Sequence, residues 1–275
     1  MPTLRLPFTP FYLGPPSEEE RAAVEASTAR LPFTFPHPGV TQAAPPLPPE
    51  TASEGWTLDH HKVQVGHGCA AYDRARCLLQ QWRHFDLPWA STNAPAVKPG
   101  AGVVVTARTL FAWSCSPLRI TYAEECPLRA GQLPPWAPAP PPRPKGATQL
   151  HTSCGGAGGG GGCSGGGAAA ARGAGGRAHQ RQAEQVATMR PPKGRRYAFA
   201  HTTLEGHTIK GEERFSVAWN QDDDSVWYEI YTLSRPASWV TTLAHMLLRA
   251  YQRKFAQDSM AAMQREMAAA GAGKR

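Results

Sequence analysis

The best-spaced pair of residues in this sequence that could do chemistry is His201 and Glu213. Two runs that alternate apolar and polar residues, RYAFAHTT (196–203) and IKGEERFSVAW (209–219), flank a turn at Glu205, Gly206 and His207. A hairpin folded there sets Phe199 opposite Phe215 and His201 opposite Glu213. Side chains in a strand repeat every second residue, so Tyr197, Phe199 and His201 share a face, as do Phe215, Val217 and Trp219. Leu118, Ile120 and Tyr122 form a matching set on a third strand. His201 and Glu213 are thus an inward polar pair among aromatics. Such a pair either orients a ligand or moves a proton, or is a salt-linked pair at the open end of the sheet.

Other constellations are weaker. His245, Asp258 and Ser259 fall on one helix, but His245 and Asp258 are thirteen residues apart. That is about 20 Å at helical rise, too far for a triad. His151, Cys154 and Cys163 sit in a poly-Gly stretch with no fourth ligand nearby, so no structural zinc is expected. The six cysteines include no C-x-x-C pair, which points to a reduced compartment and no disulfide framework. No Gly-Lys-Ser/Thr follows the long Gly run, which removes a phosphate cradle. Asp222, Asp223 and Asp224 lack the Gly and Glu of a calcium loop and read as a turn. His60, His61 and His207 read as exposed loop residues. No cofactor or metal is expected.

These residues have to be positioned by a limited amount of foldable chain. Gly and Pro number 27 each among 275 residues and concentrate in the first sixty residues and in a middle block. Residues 1–58 read as a Pro-rich leader with a short helix, Ser17 to Ser27, capped by Ser17 with acids in its first turn. Residues 126–194 read as a disordered Gly/Pro/Ala-rich insertion, because that composition cannot bury enough apolar surface to offset its ordering entropy. The domain spans 59–268 and a disordered tail 269–275. The formal net charge of +8 lies between Arg143 and Arg196, mostly within the insertion, where nine Lys or Arg face one Glu184. Charge on a tether gives weak contact with RNA or an anionic membrane, and no specific nucleic-acid recognition is expected. No clear signal peptide or transmembrane helix is apparent, which fits a cytoplasmic protein and leaves the compartment open.

Within the domain, a strand at HKVQVGHG precedes a helix from about Cys69 to Arg83 with an apolar stripe of Tyr72, Ala75, Leu79 and Trp82. Strands at 102–108, 118–124, 196–203, 209–219 and 225–233 follow. A closing helix opens near Pro236, with Val240, Leu243, Leu247, Tyr251, Phe255 and Ala262 along its buried stripe. The face opposite the His201 pair collects Arg108, Arg119, Glu212 and Arg214, which reads as a solvated lattice of ion pairs. Glu229 belongs to that face if Val217 pairs with Tyr228, and to the inner face if the register slips by one.

The stretches AAYDRARCLLQQW, FDLPWA, VVVTAR, SPLRITYAEE and AFAHTTLEGHTIKGEERFSVAW through VWYEIYTLSRPASW to LLRAYQRKFAQDSMAAM resemble the domain-of-unknown-function 1990 family. The resemblance spans about Val63 to Glu125 and Arg195 to Met263. It implies an α+β fold in which a curved antiparallel sheet of about six strands grips a long C-terminal helix, a helix-grip, START-like arrangement. In such folds a cavity between sheet and helix holds a lipid or other apolar molecule. Tyr122, Phe199, His201, Glu213, Phe215 and Trp219 are the expected ligand-binding residues. Members resembling the plant type imply a plastid outer-envelope association with cation conduction as an alternative, and a polyketide-cyclase-like enzyme using Glu213 and His201 is another. A noncatalytic binding role is the leading expectation. The sequence departs from the family at His201 and Thr202, where Tyr-Gly is more usual.

Overall fold

The structure is a computed structural model that describes residues 11–42, 47–109, 112–127, 193–237 and 245–272. Of the insertion expected at 126–194, residues 128–192 lie outside the described residues, as do Val240 and Leu243, while Cys126, Pro127 and Gly194 fall in strands of the sheet. The elements are β1 (Phe11–Tyr12), α1 (Glu18–Ser27), α2 (Pro49–Ala52), β2 (Thr57–His67), α3 (Cys69–Gln80), β3 (Ala90–Thr92), β4 (Gly102–Thr109), β5 (Ala112–Pro127), β6 (Gly194–Thr203), β7 (Ile209–Asn220), β8 (Ser225–Pro236) and α4 (His245–Ala272). The fold is mixed α+β. One antiparallel sheet runs β2-β8-β7-β6-β5-β4-β3, with β1 paired to β5. Helices α3 and α4 pack on its inner face, where Tyr72, Ala75 and Leu79 of α3 and Ala256, Met263 and Met267 of α4 join the main core.

Capping begins α1 as its sequence dictates: Ser17 Oγ accepts from the Glu20 N–H at 3.1 Å and Glu20 Oε2 accepts from the Ser17 N–H at 2.7 Å. Helix α3 is shorter than expected. It stops at Gln80 because Trp82 takes a left-handed conformation with φ 60°. A bulky residue there costs on the order of 1–2 kcal/mol, offset by burial of its indole in the core, where Nε1 donates to Pro95 O at 2.7 Å. The reversal also turns His84 and Phe85 inward behind it.

The closing helix is rotated relative to the expected stripe. Leu247 is 41% exposed, whereas Ala262 is buried as expected, and the apolar face also takes in Ala256, Ser259, Met263 and Met267, with Phe255 partly buried beside them. Phe255 lies seven residues from Leu248 and eight from Leu247; a step of seven returns to nearly the same helical face, and a step of eight turns away by roughly 80°. The helix also runs on to Ala272, through residues 269–272 expected in a disordered tail. Met267 packs on the core just before this Ala-rich end, and Ala is the strongest helix former.

The outer face of the sheet is not a solvated lattice. The leader crosses it, anchoring Phe35 against Tyr231 and Leu233, with Val40, Leu47 and Trp56 around them. Glu212 is 1% exposed and accepts from the Gly39 N–H (2.6 Å), the Thr41 N–H (2.9 Å), Thr41 Oγ1 (2.6 Å) and Thr202 Oγ1 (2.6 Å). Arg214 donates to Thr41 O at 2.6 Å and to Glu229 Oε1 at 2.5 Å. The register Val217 opposite Tyr228 puts Glu229 on this outer face. Burial raises the Glu229 pKa, but the His60 hydrogen bond and the Arg214 charge overcome it and hold the carboxyl at about 2. Backbone groups of an otherwise irregular segment are thereby satisfied by buried charges, which explains why a Pro-rich leader can lie on a sheet.

Candidate ligand site

Along six neighbouring strands, inner-face residues shrink or become polar towards the same end of the sheet. On β6 the series is Tyr197, Phe199, His201, Thr203; on β7, read backwards, Val217, Phe215, Glu213, Gly211; on β8, Val226, Tyr228, Ile230, Thr232, Ser234. The flanking strands repeat it: Val65, Val63, His61, Asp59 on β2, Val103, Val105, Ala107, Thr109 on β4 and Leu118, Ser116, Ser114 on β5. At the large end α3, His84 and the C-terminal half of α4 fill the space. At the small end the first turns of α4, bearing Leu248, Tyr251, Gln252, Phe255 and Ala256, roof a pocket of about 200 Å³.

The pocket has a polar wall on the β6–β7 hairpin. His201 faces Glu213 in register, and their Nε2 and Oε2 atoms are 3.3 Å apart; Glu213 Oε1 accepts from Thr232 Oγ1 at 3.0 Å. His201 Nδ1 is buried without a hydrogen-bond partner. His207, in the turn, accepts from the Ile209 N–H at 3.0 Å through Nδ1. Burial, reinforced by His201, lowers the His207 pKa to about 4, so its ring is neutral at pH 7. Gly211 completes the wall; a Cβ there would lie 2.0 Å from Leu233 O, so the strands approach this closely only without a side chain. At the mouth, Arg249 of α4 forms a two-pronged ion pair with Asp59 of β2, and Gln252 Nε2 donates to Ser234 Oγ at 2.9 Å.

The six residues expected at the site are divided by the structure. His201 and Glu213 line the pocket. Phe199 and Phe215 face each other at 5.4 Å one step deeper, in the packed half. Trp219 is four residues further along β7, roughly 13 Å from Phe215 at strand rise, with Nε1 donating to Asp224 Oδ1 at 2.9 Å. Tyr122 is on the opposite face. The register shifts between Ile120 and Tyr122, so one extra residue reverses the alternation and puts Tyr122 with Ala198 and Ala200, its hydroxyl 3.0 Å from Thr41 Oγ1. His61 and His207, expected in exposed loops, line the pocket instead. The signal for His61 was the size gradient, which appears only when strands are compared in register.

Deeper in the packed half, His84 is fully buried among Trp82, Phe85, Phe199 and Phe215, and neither ring nitrogen has a partner. Burial, together with His201, pushes its pKa well below the usual range, so it is an uncharged core residue. Among the described residues no group of acids, histidines and cysteines could hold a metal ion, and no helix is long and apolar enough to cross a membrane.

Comparison with known proteins bears on the whole described domain. The UPF0548 protein of Arabidopsis thaliana is 23% identical over 254 residues, covering 91% of this chain and 94% of that protein. UPF0548 proteins of Dictyostelium discoideum and Deinococcus radiodurans are 23% and 24% identical, covering 74% and 76% of this chain and 68% and 82% of their own lengths. Among solved structures, the crystal structure of Ara h 8.0201 aligns over 76% of this chain and 98% of that one, at 9% identity and a TM-score of 0.34, a distance at which nothing is carried over. The pattern of the family described as Domain of unknown function (DUF1990) matches residues 35–133 and 170–262, on both sides of the insertion, and the chain belongs to that family.

Proposed function

We propose that this protein is a noncatalytic binding domain of the helix-grip, START-like type, which holds a small apolar or lipid-like ligand between the sheet and the first turns of α4. The observation that carries this reading is the pocket of about 200 Å³ left where six strands taper together. Close-packed cores leave few voids larger than a water molecule, so a gap maintained by matched choices on every strand is not a packing accident. For scale, an engineered apolar cavity of about 150 Å³ takes benzene. The lining suits an amphiphile: Val105, Leu118, Ile230, Leu248 and Phe255 form apolar walls, with His201, Glu213 and Thr232 at one side. The test is thermal unfolding of the purified protein with and without near-saturating toluene, alongside solvent extraction of the native protein to identify small molecules that copurify. A ligand that binds only the folded state raises the transition. No shift with toluene and no copurifying molecule would overturn the reading.

A further inference from the structure

The pocket's polar wall restricts the kind of head group it accepts. A carboxylate offers about four acceptor positions, and Glu213 has two donors, His201 Nε2 and Thr232 Oγ1. Its neighbour in sequence, Glu212, is saturated by four donors on the other face. Glu213 thus has acceptor capacity left at the pocket surface. His207 supplies the opposite function. Because its Nδ1 accepts the Ile209 N–H, a neutral ring carries its proton on Nε2, which leaves that N–H as a donor on a residue lining the same pocket.

We propose that the pocket selects a small neutral ligand with one hydroxyl on an apolar body, the hydroxyl donating to the Glu213 carboxylate and accepting from His207 Nε2–H. A hydroxyl is the simplest group that both donates and accepts. An anionic head group meets Glu213 with like charge. An ammonium satisfies Glu213 but has no acceptor for His207 Nε2–H, and must shed its own hydration. Of the other two carboxylates in the lining, Glu212 is saturated from the opposite face and Asp59 is taken up by Arg249, so Glu213 is the acid that meets the ligand. The inference rests on the ligand-binding reading above.

Four probes of one size separate the possibilities: toluene, benzyl alcohol, benzylammonium and benzoate, titrated into the full chain at pH 7 and followed by calorimetry. Benzyl alcohol is expected to bind about tenfold more tightly than toluene, the worth of one well-made hydrogen-bonding site, with benzylammonium weaker than benzyl alcohol and benzoate undetectable. Glu213→Gln removes the charge and one acceptor oxygen, so it should weaken benzyl alcohol towards the level of toluene and admit benzoate. If toluene or benzylammonium equals or exceeds benzyl alcohol, or benzoate binds the unaltered protein, the hydroxyl assignment is overturned while ligand binding stands. If none of the four binds, both fall. The wild-type ranking decides the matter even should Glu213→Gln fail to fold.

Discussion

The inner face of the sheet has two halves built from the same strands and treated in opposite ways. Where Tyr197, Phe199, Phe215, Val217 and Tyr228 lie, α3, His84 and the distal part of α4 pack against them, and even a histidine is held neutral with no partner for its ring. One residue pair further along each strand, His201, Glu213, Thr203, Gly211, Thr232 and Ser234 take over, and α4 spans them without filling the space. The difference divides a packed half from an open half along the strand axis. The half that closes the core frees the other half from packing.

The strongest way to break that comparison is to truncate the closed half. Phe215 is fully buried and touches Phe199, His84, Phe85 and Phe255. Phe215→Ala is expected to cost about 3–5 kcal/mol in urea unfolding, as large-to-small aromatic changes in cores do. A loss under about 1 kcal/mol would mean that this half is no better packed than the other.

Adjacent acids sharpen the contrast. Glu212 and Glu213 point to opposite faces of β7, the first sealed beneath the leader by four donors, the second holding two at a pocket. Glu212→Ala is expected to cost about 3 kcal/mol, since it strands buried donors that bonded a charged group. Hydrogen exchange should then show residues 33–42 losing protection before the strands do. Glu213→Ala is expected to cost about 1 kcal/mol or less, because pocket water can take over its partners. Equal costs would mean that Glu213 is as structural as Glu212.

Acid should act on both halves. His84 and His207 are kept neutral in the folded protein, with pKa values below the ordinary 6.5, that of His207 at about 4. Between pH 6.5 and 4 the unfolded chain binds protons that the folded one refuses, so stability falls as pH falls, by at most about 1.4 kcal/mol per pH unit for each histidine. Glu229, depressed to about 2, adds a further loss as pH falls below about 4.5. His84→Leu is expected to raise stability at pH 7 by about 1 kcal/mol, by removing two unpartnered nitrogens, and to flatten the slope between pH 6.5 and 4. An unchanged slope would show that His84 finds a partner in solution.

Much of this architecture is legible in the sequence, for identifiable reasons. Alternation and the Gly206 turn are local signals, and they place His201 opposite Glu213 and Phe199 opposite Phe215 as the sheet does. The capped helix α1 is equally local. What escapes is non-local. A one-residue bulge after Ile120 reverses Tyr122 with no local mark in the sequence. The phase of α4, which exposes Leu247 and buries Ala256 and Ser259, is set by what the helix rests on. A Pro-rich leader carries no strand or helix period, so its place over Glu212 and Arg214 depends on contacts about 170 residues away, such as Gly39 with Glu212 and Thr41 with Arg214. The pocket is a property of six strands in register, and any one of them read alone shows only a strand growing more polar.

The smallest expected effect on stability is the most decisive for the comparison. Ala107 lies on β4 opposite Ser114, in the open half, and lines the pocket. Ala107→Phe puts an aromatic ring into space that no side chain occupies, so added contact with the apolar lining of the pocket should offset the strain of insertion and leave unfolding within about 1 kcal/mol of the parent. The same ring occupies much of a 200 Å³ pocket, so the thermal shift with toluene should disappear. In the closed half an enlargement of this kind, such as Ala75→Phe on α3, has no room and should cost about 1–3 kcal/mol or more. If Ala107→Phe proves as damaging as Ala75→Phe, the open half is packed in solution and the two halves are alike. If it is tolerated and toluene still raises the transition, the ligand sits elsewhere.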